Sequence, residues 1–157
     1  MSFYTDVIMK DPRFHSPQRC ASIALLEPTM RAAVLSIIQE ASSVGTPLMI
    51  FETFRSEARQ IMLYQQGATQ LEKVGTHGYG LAADLVRMID GQPSWKVDYT
   101  FLGPLAAKHG LVWGGSWAAF RDMDHVQRLA VADQPRLFAG AFYPDALYNP
   151  DALVAVA

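Results

Sequence analysis

A single cysteine, Cys20, is all the thiol chemistry in this chain of 157 residues. One thiol closes no internal disulfide and cannot supply a four-cysteine zinc ribbon, so Cys20 reads as a buried, inert side chain. Charge is also scarce. Charged residues make up 18% of the chain, the net charge is -2, and the 13 basic residues are scattered. A nucleic-acid-binding protein would carry a basic stripe, and none is present. No apolar run approaches the roughly 18 residues that cross a bilayer. The opening stretch MSFYTDVIMKDPRF is interrupted by Asp6, Lys10 and Asp11, so it has no apolar core for a secretion signal. The expectation is a chain made in the cytoplasm that reaches any outside target by another route. Internal repeats and low-complexity linkers are missing, so no appended binding module is expected. The HExxH pattern of helix-borne zinc sites is missing too.

What is present suits one globular domain over residues 1–157, with half the residues apolar. Residues 1–27 form a mixed lead-in broken by Pro12 and Pro17. His15 lies there without a ligand-type neighbour and reads as a surface or packing residue. Pro28 suits a first helical turn, and Met30, Val34, Leu35, Ile37, Ile38 and Ala41 recur at helical spacing as far as Gly45 and Pro47. Residues 48–54 read as a strand buried on both faces. Glu52 within it needs a partner such as Arg55, or else an exposed edge. Ser56 is placed to cap a second helix that stops at Gly67.

Residues 67–79 read as a loop and 80–86 as a strand. Asp90-Gly91 is a turn signal followed by a loop over 92–96. Residues 99–109 predict a helix closed by Gly110, with His109 complementing its dipole. Short strands follow at 111–113 and 123–127, separated by a Gly-Gly loop. Residues 128–157 contain Pro135, Pro144 and Pro150 and predict a helical extension beyond a motif-bearing core of about 28–127. The fold class is α+β: a single domain with a central, mainly antiparallel sheet flanked by helices.

The chemistry concentrates between Thr76 and Asp84, in Thr-His-Gly-Tyr-Gly-Leu-Ala-Ala-Asp, and in Asp122-Met-Asp-His125. Two imidazoles and one carboxylate are a common ligand set for catalytic zinc, which keeps one position open for water. On a flat strand an offset of seven puts side chains on opposite faces. His77 must therefore hang from a loop, with Gly78 and Gly80 letting the chain turn. Asp84 would point inward from a strand of apolar neighbours, where an ionised carboxylate needs either a metal or an ion-pair partner. Parity turns Asp124 away from His125, while Asp122, in the loop ahead, can reach the site as general base. Asp124 as base or ligand is the alternative. Arg55, at a strand end, is the candidate cation for a developing oxyanion, or else a structural partner of Glu52.

Together these motifs resemble the peptidoglycan-cutting zinc peptidases of the VanY type, which include D-alanyl-D-alanine carboxypeptidases, dipeptidases and the L-alanyl-D-glutamate endopeptidases of phage lysins. The matching pieces are Phe54-Arg55-Ser56, Gln60, Leu63-Tyr64, Gln66-Gly67, Thr76-His77, Gly80, Ala82, Asp84, Gly110, Trp113-Gly114-Gly115, Trp117, Phe120 and Asp122-x-x-His125. They cover residues 50–127, about half the chain. The resemblance implies that His77, Asp84 and His125 bind Zn2+, that Asp122 is the catalytic base, and that Arg55 holds the substrate or transition state. Thr76, Trp113 and Trp117 are candidates for the substrate groove. The run from Arg55 to Gly67 and the Trp113-Gly114-Gly115 loop look most like the endopeptidase branch. Two departures stand out: Asp124 where proline is frequent, and Thr76 where serine is.

The expectation is therefore a monomeric hydrolase acting on bacterial peptidoglycan at the L-Ala–D-Glu bond. The setting would be a phage lysis enzyme that waits in the cytoplasm and meets the wall after release. The alternatives are a D-Ala-D-Ala carboxypeptidase or dipeptidase, and a zinc-containing binding domain without catalysis.

Overall fold

In the computed structural model, which describes residues 2–69 and 75–145, Pro28 opens the longest helix, α1 (Pro28–Ser43). The Glu27 side chain caps it by accepting from the N–H groups of Thr29 and Met30, and pairs with Arg128 at 2.8 Å. Met30, Val34, Ile37 and Ala41 form its buried stripe, and Gly45 turns the chain away at φ 80°. Next come β1 (Leu48–Glu52) and α2 (Glu57–Gln65), the latter capped by Ser56, whose hydroxyl accepts from Arg59 N–H. The chain continues through β2 (Ala82–Ile89), β3 (Gln92–Ser94), α3 (Leu102–Lys108), β4 (Val112–Trp113), β5 (His125–Gln127) and α4 (Gln134–Phe138).

Among the described residues every strand pairing is antiparallel, in the order β1-β2-β5-β4, with β3 folded back on β2. The α1 stripe, Tyr99 and Leu102 cover one face of the sheet and meet Ala83, Leu85 and Val126 in the main core. A second cluster joins Phe3, Ile8, Leu25 and Phe54, so the lead-in is part of the core. At the other end of the described chain, Leu137 of α4 packs with Leu81 and Leu129.

Three expectations need correction. Strand β1 is not buried on both faces: Leu48 and Glu52 are buried, but Met49, Ile50 and Phe51 only partly, because β1 is the sheet edge. Residues 92–94 are a strand, not a loop. Asp90 (φ 51°) and Gly91 (φ 77°) both adopt left-handed angles and close a two-residue hairpin. The third concerns the glycines before Asp84. Gly80 alone of the pair uses a positive φ, 70°. Its carbonyl accepts from Glu27 N–H at 2.9 Å, and a Cβ there would fall 2.5 Å from the Leu25 carbonyl oxygen. This close approach delays the start of β2 to Ala82 and is possible only for glycine. Residues 70–74 of the expected loop and residues 146–157 of the expected C-terminal extension lie outside the described residues.

Candidate metal centre

Strand register brings the first two candidate ligands together. Asp84 in β2 stands directly opposite His125 in β5, and directly opposed residues of an antiparallel pair share a face. His77 comes from the 3-10 turn Thr76–Tyr79, just before β2. Asp84 Oδ1 lies 3.2 Å from His77 Nε2 and 3.3 Å from His125 Nδ1. The three ligand atoms all fall within 4.8 Å of one another, and all three residues are buried.

The surrounding hydrogen bonds fix both ring tautomers. His77 Nδ1 is 2.7 Å from the Thr53 carbonyl oxygen. A carbonyl only accepts, so Nδ1 carries the hydrogen and Nε2 presents a lone pair. His125 Nε2 is 2.8 Å from Gln127 Oε1, which leaves Nδ1 bare in the same way. Two nitrogen lone pairs and a carboxylate oxygen therefore face one another with no hydrogen between them. That arrangement is repulsive unless a cation sits among them, and its donor set suits a divalent metal. A proton can take the cation's part. Burial opposes charge on His125, but the hydrogen bond and charge of Asp84 raise its pKa above the usual value. Burial would raise the Asp84 pKa, but His77 and His125 hold it well below the ordinary carboxylate range.

Arg55 is both a structural partner and a wall of the cleft. Its guanidinium donates to Glu52 Oε1 at 2.8 and 3.1 Å, to Gln60 Oε1 at 3.2 Å and to Asp84 Oδ2 at 3.3 Å. Glu52, whose other oxygen meets Arg59, is thus a fully paired buried carboxylate. One extra residue inserted between Ile50 and Glu52 kinks the end of β1. Glu52, the Thr53 carbonyl and Arg55 all leave this kinked end toward the site.

Asp122 stands at the mouth, with Oδ2 3.8 Å from His125 Nδ1 and 38% of its side chain exposed. Gly114 makes room for it: a Cβ there would sit 2.5 Å from the Asp122 carbonyl oxygen. Asp124 does not point away as parity suggested. It precedes the first residue of β5, so strand alternation does not apply. Its carboxylate joins Asp84 and Asp122 within 4.8 Å and accepts from Trp95 Nε1 at 3.2 Å. Burial, then the charge of Asp84 and a hydrogen bond with Asp122, push its pKa up to about 8.

A cleft of about 590 Å³ opens over His77 and His125, with Arg55, Trp117, Phe120 and Asp122 in its walls. Trp117 lines this cleft, its ring 5.2 Å from that of His125. Trp113 does not. Its Nε1–H donates to the Met123 carbonyl, and its ring packs so closely on Gly103 and Gly115 that a Cβ on either would clash. Thr76 touches the cleft wall, but its hydroxyl is spent on Gln127 Oε1 at 3.2 Å. His109 pairs with Glu40 at 3.0 Å, away from the site, and His15 is exposed. Sequence reasoning missed Thr53 and Gln127, which orient the two imidazoles. Gln127, an amide two residues after a candidate ligand and so on the same face of the strand, was the available signal.

The chain is similar to several known proteins. Residues 69–128 match a family described as D-alanyl-D-alanine carboxypeptidase. The chain is 28% identical over 123 residues to the peptidoglycan L-alanyl-D-glutamate endopeptidase CwlK of Bacillus subtilis (strain 168), covering 66% of this chain and 74% of that protein. It is 26% identical over 118 residues to the L-alanyl-D-glutamate peptidase of Listeria phage A118, covering 73% of this chain but 42% of the phage protein. The crystal structure of the Serratia marcescens L-Ala D-Glu endopeptidase ChiX aligns with a TM-score of 0.58 at 26% identity, over 76% of this chain and 96% of that one. Joined to the convergent His-Asp-His cluster, these likenesses make the chain similar in sequence and fold to peptidoglycan-cutting metallopeptidases.

Proposed function

We propose that the protein is a zinc-dependent peptidoglycan hydrolase that cuts the L-Ala–D-Glu bond of stem peptides. The observation that carries this reading is the convergence of two bare imidazole nitrogens and the Asp84 carboxylate beside Asp122, at the floor of an open cleft. Three protein ligands with a free side are the usual form of a catalytic zinc site, whereas structural sites are closed by four. Zinc, when bound, would polarise the scissile carbonyl and lower the pKa of water toward about 7. Asp122 takes the proton from the attacking water and returns it to the leaving amine. Arg55, held in orientation by Glu52, Gln60 and Asp84, presents its charge to the developing oxyanion. Trp117 and Phe120 form apolar walls that hold the stem peptide and exclude water.

The named activities of the Bacillus, Listeria phage and Serratia proteins support the L-Ala–D-Glu bond as the target. The phage source of one relative supports a lysis role, and we propose with it that the enzyme acts as a monomer, is made in the cytoplasm and reaches the wall after release. The description of the matched family keeps D-Ala-D-Ala carboxypeptidase activity as the second reading.

Mass spectrometry of purified peptidoglycan, digested with and without a chelator, separates the readings. New free D-Glu amino termini that disappear with chelator are expected. Release of terminal D-Ala instead would assign the carboxypeptidase activity. No cleavage by zinc-loaded protein would leave a binding domain and refute the enzymatic reading.

A further inference from the structure

Gln127 is 1% exposed, and an amide so deeply buried is costly unless its hydrogen-bonding groups are used. All of them are. Oε1 accepts from His125 Nε2–H at 2.8 Å and from the Thr76 hydroxyl at 3.2 Å. Nε2 donates to the Leu129 carbonyl oxygen at 2.5 Å and to Gln134 Oε1 at 2.8 Å. An amide oxygen has two lone pairs and an amide nitrogen two hydrogens, so the set is complete. The Leu129 carbonyl cannot donate. Turning the amide over would set its oxygen against that carbonyl and its nitrogen against the imidazole N–H. Leu129 thus dictates which end of Gln127 faces His125, and Gln127 dictates which nitrogen of His125 carries the hydrogen.

We infer that Gln127 is a positioning residue: locked by Leu129 and Gln134, it commits His125 to binding the metal through Nδ1. Its Oε1 also accepts from Thr76, so one atom braces both histidine-bearing elements. Gln134 opens α4, so the segment after the last ligand takes part in setting metal affinity without touching the ion. The inference rests on His77, Asp84 and His125 being the metal ligands. Hydrogen bonds of this kind to a ligating imidazole control metal affinity by about 10–100-fold.

The test uses the full chain and the substitution Gln127→Met, which keeps the volume and removes the acceptor. Imidazole 15N NMR of chelator-treated protein reads the tautomer directly. Competition with a chromophoric chelator reads zinc affinity, and urea unfolding checks that the variant is folded. Wild-type His125 should show the Nε2–H form. Gln127→Met should show mixed tautomers and bind zinc about 10–100-fold more weakly while unfolding cooperatively. A wild-type His125 found as the neutral Nδ1–H tautomer, with Nε2 bare, overturns the inference without recourse to any variant. A folded variant with unchanged tautomer and affinity overturns it too, and reduces Gln127 to a packing residue. Failure of the wild type to bind zinc at all would instead sink the metal reading on which the inference stands.

Discussion

Replacing Asp122 with Asn should separate chemistry from metal binding. Asp122 is outside the cluster of His77, Asp84 and His125, and its nearer oxygen stays 3.8 Å from His125 Nδ1. Its backbone N–H donates to the Gly114 carbonyl, so the loop keeps its path whatever the side chain. An amide of the same shape leaves the three ligands and their hydrogen bonds in place but cannot accept the proton from water. A positioned general base contributes about 10²–10⁴-fold, which is ~3–5 kcal/mol of barrier. Stability should move little, because the side chain is 38% exposed. The assay pairs muropeptide release, followed by chromatography and mass spectrometry, with zinc affinity by chelator competition. Turnover should fall by at least about a hundredfold with zinc affinity within a few-fold of wild type. Activity within tenfold of wild type would remove Asp122 from the role of base. Loss of zinc along with activity would make it a ligand and refute the reasoning.

Three further substitutions probe other parts of the site. Arg55→Ala strips Asp84 Oδ2 of its cation and leaves buried Glu52 with Arg59 alone, so urea unfolding should show a loss of ~3–5 kcal/mol along with lost turnover; an unchanged midpoint would contradict the ion-pair account. Gly115→Ala sets a Cβ 2.1 Å from the Trp113 ring and should cost ~1–3 kcal/mol in the same measurement, with a wild-type midpoint as the contrary result. Asp124→Asn should change how the chelator-treated protein responds to pH. The Asp124 pKa is raised to about 8, so the folded chain holds a proton that the unfolded chain has released. The stability tied to that proton is complete below the unfolded pKa of about 4 and is lost as pH rises to about 8. Wild type and variant should therefore unfold alike near pH 4, and the variant should be the more stable, by a margin of order 1 kcal/mol or more, at pH 8. A gap that does not widen between those limits would contradict it.

Much of this molecule was legible from residue pattern. Pro28, Ser56 and Gly110 marked helix boundaries because caps and left-handed turns need particular side chains, or none. Asp84 stood out because a carboxylate among Leu, Ala and Val needs a reason to be there, and His77 and His125 because two imidazoles and a carboxylate are a common ligand set for zinc. What the pattern hid was governed by tertiary contact. Strand β3, Gln92-Pro93-Ser94, has no apolar alternation and is held by backbone pairing to β2 through its hairpin. The parity rule misjudged Asp124 because β5 starts only at His125, two residues later than expected. Trp113 and Trp117 look equivalent in sequence, yet one is clasped by glycines and the other faces His125. The partners of Glu27, Glu52 and His109 come from Arg128, Arg59 and Glu40, and only folding selects them.

The opposition of Asp84 and His125 across β2 and β5 has a mechanical consequence. The two residues are 41 apart in sequence, so an ion gripping both would be a removable clasp closing a long loop. A slip of β5 by one residue would swing His125 to the opposite face and open that clasp. Holding the ion would therefore proofread strand register. The same bond that equips the cleft for hydrolysis would reject the misaligned sheet, and withdrawing the ion would loosen the centre of the fold before its edges.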